Sequence, residues 1–193
     1  MPLLRSHHGK ARHTQTILKE ELVVGYVYLY TGDGGGKTTN ALGLALRSLG
    51  HGHKVVIIQF LKWWKNTGEY KIRKRLGSNY EIYQFGRRGW HGLDTLGEED
   101  KRLAEKGLEF AEKVVKEKRP HLLVLDELNL ALHCKLLDSD KVLTFLNKIP
   151  KKTDVVLTGR HAPKELLERA DFVNEVKDIK HPKEIPTTRG IQY

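Results

Sequence analysis

One short glycine-rich segment, residues 31–39, restricts the possible folds of this chain more than any other feature. An apolar run containing β-branched and aromatic residues, 22–30, precedes it, and apolar residues at helical spacing follow it up to Gly50. This pattern predicts a buried strand, a tight loop and a helix that ends near Gly50. Residues 54–61 then have the character of a second strand, so we expect two parallel strands joined by a right-handed crossover.

The remainder of the chain continues to alternate between strand and helix patterns. Further strands are predicted at residues 80–85, 121–125, 154–158 and 172–176, and helices at 98–118, 138–147 and 163–170. Residues 86–97 are irregular and glycine-rich, which is typical of a functional loop. This alternation predicts an α/β fold in which helices cover both faces of a mostly parallel sheet.

Length and composition indicate an ordinary folded domain. With 193 residues, the chain has the size of one domain, which we place at residues 25–193 after a basic N-terminal arm at residues 1–24. Its apolar runs are far shorter than the roughly 20 residues of a membrane helix. Cys134 is the sole cysteine. We therefore expect a cytoplasmic protein with no membrane segment and no internal disulfide.

The formal net charge of +10 raises the question of nucleic-acid binding. In the helix predicted at 98–118, however, lysines alternate with glutamates, a pattern typical of a solvated helix face. The basic excess lies in residues 62–75 and at Arg87 and Arg88, which could equally face an anionic small molecule. We therefore expect no nucleic-acid partner.

The segment 31–39 has the composition of a phosphate-binding loop, with Thr31 in place of the usual first glycine. Glycines allow successive backbone amides to point inward around an anion, and the following helix adds its positive end. Lys37 supplies a charge for the phosphates, and the Thr38 hydroxyl can bind the metal that bridges them. The predicted ATP-binding residues of the loop are Gly32, Asp33, Gly34, Gly35, Gly36, Lys37, Thr38 and Thr39.

A second element supports the phosphate-loop interpretation. The strand predicted at 121–125 runs directly into Asp126 and Glu127. Because ligands collect at the carboxyl ends of parallel strands, we expect both acids to contribute with Thr38 to a Mg²⁺ or Mn²⁺ site. Acids also close strands as simple helix caps, so the prediction depends on the glycine loop upstream.

Taken together, the motifs resemble those of the ATP:corrinoid adenosyltransferases over about residues 25–193. The matching pieces are the glycine loop, Gln-Phe-Leu-Lys at 59–62, Leu-Asp-Glu-Leu at 125–128, Thr-Gly-Arg at 158–160, and the tail segments 179–182 and 190–193. The resemblance implies a RecA-like phosphate-loop fold in a homodimer. It also implies transfer of the 5′-deoxyadenosyl group of ATP to the cobalt of a corrinoid in the +1 state, which a separate electron donor supplies.

The same resemblance implies roles for individual residues. The phosphate loop would hold the triphosphate as a leaving group, in a reversed sense that leaves the ribose 5′ carbon open to cobalt. Lys37 and Glu127 are the implied catalytic residues, and Thr38, Glu127 and Asp126 the implied metal ligands. Arg160 of the Thr-Gly-Arg piece is the further implied ATP contact.

Two departures from the family pattern affect the expected substrate contacts. The best-known members have Asn and Lys where Asp33 and Gly35 stand, so one cationic contact to the phosphates is missing here. Their corrinoid-facing loop carries a Phe and a Trp one residue apart. Trp90 corresponds to the tryptophan, the Phe has no clear counterpart, and Arg88 is expected to contact the corrinoid. The tryptophans at 63–64 are interpreted as corrinoid contacts or as packing under a loop.

Two other classes of protein remain open at this point. A phosphoryl-transfer enzyme, either an ATPase or a kinase, would use the same loop but would release ADP. A nucleic-acid-binding ATPase would account for the positive charge, and its Trp63 and Trp64 would stack on bases.

Overall fold

A parallel sheet of six strands lies at the centre of the computed structural model, which describes residues 25–89 and 92–193. The strands are β1 (Val27–Thr31), β2 (Val55–Phe60), β3 (Tyr80–Phe85), β4 (Leu122–Asp126), β5 (Asp154–Thr158) and β6 (Phe172–Glu175). Their order across the sheet is β3-β2-β4-β5-β1-β6, and all neighbouring pairs are parallel. The predicted α/β, RecA-like fold is confirmed.

Helices cover both faces of this sheet, as predicted. They are α1 (Lys37–Gly50), α2 (Gly68–Leu76), α3 (Glu98–Glu117), α4 (Leu128–His133), α5 (Ser139–Leu146) and α6 (Lys164–Arg169), with a 3-10 turn at Leu93–Thr95. Helices α1 and α2 pack on one face, and α3 to α6 pack on the other. Within the described ranges, no helix is long and apolar enough to cross a membrane. The predicted arm at residues 1–24 and the predicted corrinoid contact Trp90 lie outside the described residues.

Two helices were not predicted from the sequence, and each has a physical reason. Helix α2 is rich in Lys and Arg, so its sequence shows no clear apolar stripe, and none of its residues is fully buried. Helix α4 has only six residues and begins directly after Glu127, where the sequence pattern indicated only the end of a strand. By contrast, β3 and β5 have the predicted bounds, because short apolar strands between turn residues are well marked.

The central strands bring the predicted site residues to one edge of the sheet. All residues of β2 and β4 are buried, since helices cover both of their faces. Helix α3 approaches them closely at Gly107, where an added Cβ would lie 2.8 Å from the ring of Phe60. Because all strands are parallel, the segments that follow β1, β2, β4 and β5 meet at the carboxyl edge.

Candidate functional site

The phosphate loop connects β1 to α1 at this carboxyl edge. Gly36 has a φ of 109°, in the left-handed region that favours glycine, and α1 begins directly after it. The buried Lys37 ammonium donates to the carbonyl oxygens of Gly32 at 2.7 Å and Gly34 at 2.6 Å. Burial lowers the pKa of Lys37, and the neighbouring Arg160 guanidinium lowers it further. The two positive charges therefore act on each other at this edge of the sheet.

The first half of the loop is also fixed by the segment that follows β6. The Gly34 amide donates to the carbonyl oxygen of Val176 at 2.8 Å. A Cβ added to Gly32, whose φ is 96°, would lie only 2.4 Å from the same oxygen. Glycine is therefore required at Gly32 by packing as well as by the loop's conformation. Gly35 differs, because nothing lies within 4 Å of a Cβ added there.

Asp126 occupies the centre of a buried polar network at the end of β4. Its Oδ1 accepts hydrogen bonds from the hydroxyls of Thr38 at 2.8 Å and Thr158 at 2.7 Å. Its Oδ2 accepts from the Gln59 amide at 2.9 Å and the Lys62 ammonium at 2.7 Å. Burial alone would raise the pKa of Asp126, but these partners outweigh it and lower the pKa. The carboxylate is thus ionised and fully hydrogen-bonded.

Thr158 joins the two acids to each other. Besides donating to Asp126, its hydroxyl accepts a hydrogen bond from the Glu127 amide at 3.1 Å. This contact exists because β5 lies between β1 and β4, which places the end of β5 beside the end of β4. Glu127 itself has a φ of 63°, an uncommon conformation for a residue other than glycine. The turn directs the chain from β4 into α4.

The Glu127 side chain has no hydrogen bond or ion pair with any described residue. Burial raises its pKa, and Lys62, the next largest influence, opposes that rise. The described residues contain no cluster of three acidic, histidine or cysteine ligands. Thr38 and Glu127 nevertheless fit a Mg²⁺-like ion, because such an ion takes few protein oxygens and completes its shell with phosphates and water. The Thr38 hydroxyl donates a hydrogen bond to Asp126, and its oxygen has only one long contact, from the Lys62 ammonium at 3.4 Å, so a lone pair can face a metal.

The remaining predicted residues lie in the segments that follow β1, β3 and β5. Arg160 follows β5 and is exposed, and its charge acts on both Lys37 and Glu127. Asp33 is exposed on the phosphate loop, while the Thr39 hydroxyl donates back to the Gly36 carbonyl at 2.9 Å. The Arg88 guanidinium lies 5.9 Å from the centre of the Trp63 ring.

Trp63 contacts the start of the glycine-rich segment 86–97, which supports the interpretation that it packs under a loop. Its ring nitrogen donates to the carbonyl oxygen of Gly89 at 2.7 Å. Trp64 lies edge-on to Trp63, with ring centres 6.0 Å apart. Trp63 thus holds the start of the loop that is expected to face the corrinoid, and Trp64 packs against Trp63.

Four polar residues at this edge of the sheet received no individual role in the sequence analysis. They are Gln59, Lys62, Asn129 and Thr158. Gln59 and Thr158 are fully buried at the ends of apolar strands, and a polar residue there is the signal that marks them. The Asn129 amide donates to the carbonyl oxygens of Tyr30 and Gly159, which ties the end of β1 to the loop after β5. Lys62 was noted only as part of a motif.

Residues 23–193 match the family described as ATP:corrinoid adenosyltransferase BtuR/CobO/CobP. A corrinoid adenosyltransferase from Sinorhizobium sp. is 36% identical over 174 residues, which cover 88% of this chain and 80% of that protein. One from Pseudomonas aeruginosa is 33% identical over 195 residues, covering 97% of this chain and 95% of that protein.

A solved structure supports the fold alone. The flagellar accessory protein FlaH from Methanocaldococcus jannaschii superposes with a TM-score of 0.53 over 79% of this chain and 72% of that protein, at 12% sequence identity. The family match, in contrast, spans the phosphate loop, the acid pair and the residues after β5 that build the site. The chain belongs to the ATP:corrinoid adenosyltransferase family.

Proposed function

We propose that the carboxyl edge of the sheet binds ATP with a divalent metal and presents the ribose 5′ carbon to the cobalt of a reduced corrinoid. The observation that carries this proposal is that the family match covers every segment contributing to the network around Asp126. The acceptor is a corrinoid, as the family description states. The phosphate loop therefore holds a leaving group.

The triphosphate is bound by the loop and by two cations. Lys37, now bonded to the Gly32 and Gly34 carbonyls, would move its ammonium onto phosphate oxygens, which are stronger acceptors because they are charged. The amino end of α1 adds a positive dipole at the same place. Arg160, whose charge acts on Lys37, would contact the outer phosphates.

The metal site is assigned to Thr38 and Glu127. A bound Mg²⁺ or Mn²⁺ would neutralise negative charge on the departing triphosphate. Asp126 has a supporting role, because all of its lone pairs accept hydrogen bonds and one of those bonds orients Thr38. Glu127 carries no competing bond within the described residues, so its carboxylate is available to the metal.

The chemical step is a displacement at carbon. The electron pair of Co(I) forms the bond to the 5′ carbon, while the bond from that carbon to the α-phosphate oxygen breaks. The pair from the broken bond leaves with the triphosphate, so no base is required. The protein orients the carbon, offsets the charge of the leaving group and excludes water.

The corrinoid side of the site is assigned to the loop 86–97, with Arg88 and Trp90 as contacts. Trp63 supports this loop through its hydrogen bond to Gly89.

We also propose a homodimer, which the exposed apolar residues Phe172 and Val173 on edge strand β6 support. The electron donor that reduces the corrinoid and a cytoplasmic location are further proposals.

The test is an analysis of both products after incubation with ATP, Mg²⁺ and chemically reduced cobalamin. Triphosphate in a one-to-one ratio with adenosylated corrinoid is the expected result. Formation of ADP and phosphate without an alkylated corrinoid would contradict it, and would instead indicate an ATPase. Lys37→Ala should lose the reaction at limiting ATP, with Lys65→Ala as the control because Lys65 is exposed and outside the network.

A further inference from the structure

Lys62 places a second ammonium beside the proposed metal ligand Thr38 and its partner Asp126. Its Nζ lies 2.7 Å from Asp126 Oδ2 and 3.4 Å from the Thr38 hydroxyl oxygen. Lys37, the lysine of the phosphate loop, is instead bonded to loop carbonyls. The site thus contains a cation that the phosphate-loop motif does not supply, and that cation contacts the hydroxyl expected to bind the metal.

The backbone is shaped to turn Lys62 into the site. Leu61 has a φ of 58°, in the left-handed region, although leucine has no local means of favouring it. Its amide donates to the Phe85 carbonyl at 3.0 Å, which continues the pairing of β2 with β3 up to the turn. A Cβ added to Gly86 would lie 2.5 Å from both the Leu61 carbonyl carbon and the Lys62 nitrogen. The turn at Leu61 therefore requires a glycine at Gly86, directly after β3. Backbone strain such as that at Leu61 is typical of functional positions.

The distances set a limit on how far a metal can be from this ammonium. An ion bound at about 2.1 Å from the Thr38 oxygen lies within about 5.5 Å of Lys62 Nζ, whatever its direction. At that separation a divalent cation and an ammonium in a partly buried site repel strongly. Lys62 also neutralises the negative charge of Asp126, so Glu127 alone would have to attract the ion. The charge of Glu127 is itself partly offset by Lys37.

We propose that Lys62 excludes free divalent cations from this site, so that the metal enters only together with ATP. This inference depends on the proposed metal ligands Thr38 and Glu127. The negative charges of the triphosphate offset both the metal and the lysines, which makes the site favourable for the complex but not for the ion alone. Lys62 thus determines that the metal and the nucleotide bind together, and it acts as a positioning residue for their complex.

A merely structural role for Lys62 makes a different prediction. If the lysine only holds Asp126 in place, its removal would destabilise the fold without improving metal binding. If it excludes the ion, its removal frees one negative charge, and metal affinity without nucleotide should rise. Metal affinity in the absence of ATP therefore separates the two roles.

The experiment measures binding of Mn²⁺ to the nucleotide-free protein by electron paramagnetic resonance of the unbound ion. Lys62→Met removes the charge, and Lys62→Gln removes it while keeping an N–H donor for Asp126. Both variants should bind Mn²⁺ about tenfold or more tightly than the wild-type protein. Lys62→Arg should retain the exclusion, and Lys65→Met, at an exposed neighbouring position, should leave the affinity unchanged.

Two results would overturn the inference. One is tight Mn²⁺ binding by the nucleotide-free wild-type protein, and the other is an unchanged affinity in a folded Lys62→Gln variant. Circular dichroism establishes folding, and Lys62→Gln decides the question if Lys62→Met does not fold. The assay involves no corrinoid and no turnover, so a failure of adenosyl transfer would leave its result intact. Likewise, either of the two contrary Mn²⁺ results would not contradict the proposed adenosyl transfer.

Discussion

Thr158 offers the sharpest test of the network, because one hydroxyl serves both acids. The substitution Thr158→Val keeps the shape of the side chain and removes its donor to Asp126 and its acceptor for the Glu127 amide. A hydrogen bond to a charged group contributes about 1.5–3 kcal/mol, and an unpaired buried N–H adds a cost of at least about 1 kcal/mol. The side chain is fully buried, so solvent cannot replace these bonds. We expect a loss of about 3 kcal/mol in the free energy of unfolding.

Thr153 at the other end of β5 provides a matched control. It is also buried, but its hydroxyl makes a single neutral bond, to the Pro120 carbonyl at 2.7 Å. Thr153→Val should therefore cost about 1 kcal/mol. For a chain of this length, the two variants should lower the melting temperature by about 6–12 °C and 2–4 °C respectively.

The assay combines thermal unfolding with a Mg²⁺ titration at saturating ATP. Because Asp126 orients Thr38, Thr158→Val should also raise the Mg²⁺ concentration needed for turnover, whereas Thr153→Val should not. Equal melting temperatures for the two variants would refute the estimate of the network's strength. An unchanged Mg²⁺ requirement in Thr158→Val would refute its connection to the metal site.

Three further predictions concern the loop, the metal and pH. Glu127→Gln should raise the Mg²⁺ requirement about tenfold or more, because a neutral amide is a poor ligand for a hard cation; an unaltered Mg²⁺ titration would remove Glu127 from the site. Gly35→Lys should lower the KM for ATP several-fold, since the position is open and the added cation would meet the phosphates; a KM that does not fall, in a normally folded variant, would contradict this. Burial would raise the pKa of Glu81, but hydrogen bonds from Lys118, Tyr83 and Lys54 lower it overall. The carboxylate therefore stabilises the fold above its unfolded pKa of about 4.3 and loses that contribution as pH falls further. Wild-type protein should lose more unfolding free energy than Glu81→Gln between about pH 5 and pH 3, and parallel curves would contradict the assignment.

The parts of the site that could be predicted are those encoded by short contiguous patterns. The phosphate loop and the acid pair at the end of β4 each follow an apolar run directly, so the turn chemistry and strand end are visible in a few residues. The family resemblance then supplied the assignment of Arg160. The structure places that residue where its charge acts on Lys37 and Glu127.

The parts that could not be predicted depend on the order of strands in space. Thr158 contacts Asp126 only because β5 is inserted between β1 and β4, and a list of strands does not reveal that order. Gln59 in β2 and Lys62 in the turn after it reach the same carboxylate from the opposite side of β4. The left-handed turn at Leu61 that directs Lys62 inward has no sequence signature, because leucine rarely adopts it.

The central claim is that the phosphate loop holds a leaving group while the 5′ carbon of ATP is transferred. The most direct measurement uses ATP labelled with ¹³C at the ribose 5′ carbon, incubated with Mg²⁺ and chemically reduced cobalamin, with the products followed by ¹³C and ³¹P spectra. We predict that the labelled carbon becomes bonded to cobalt while unlabelled triphosphate accumulates in equal amount. A labelled carbon that stays in ADP, with phosphate as the second product, would contradict the account.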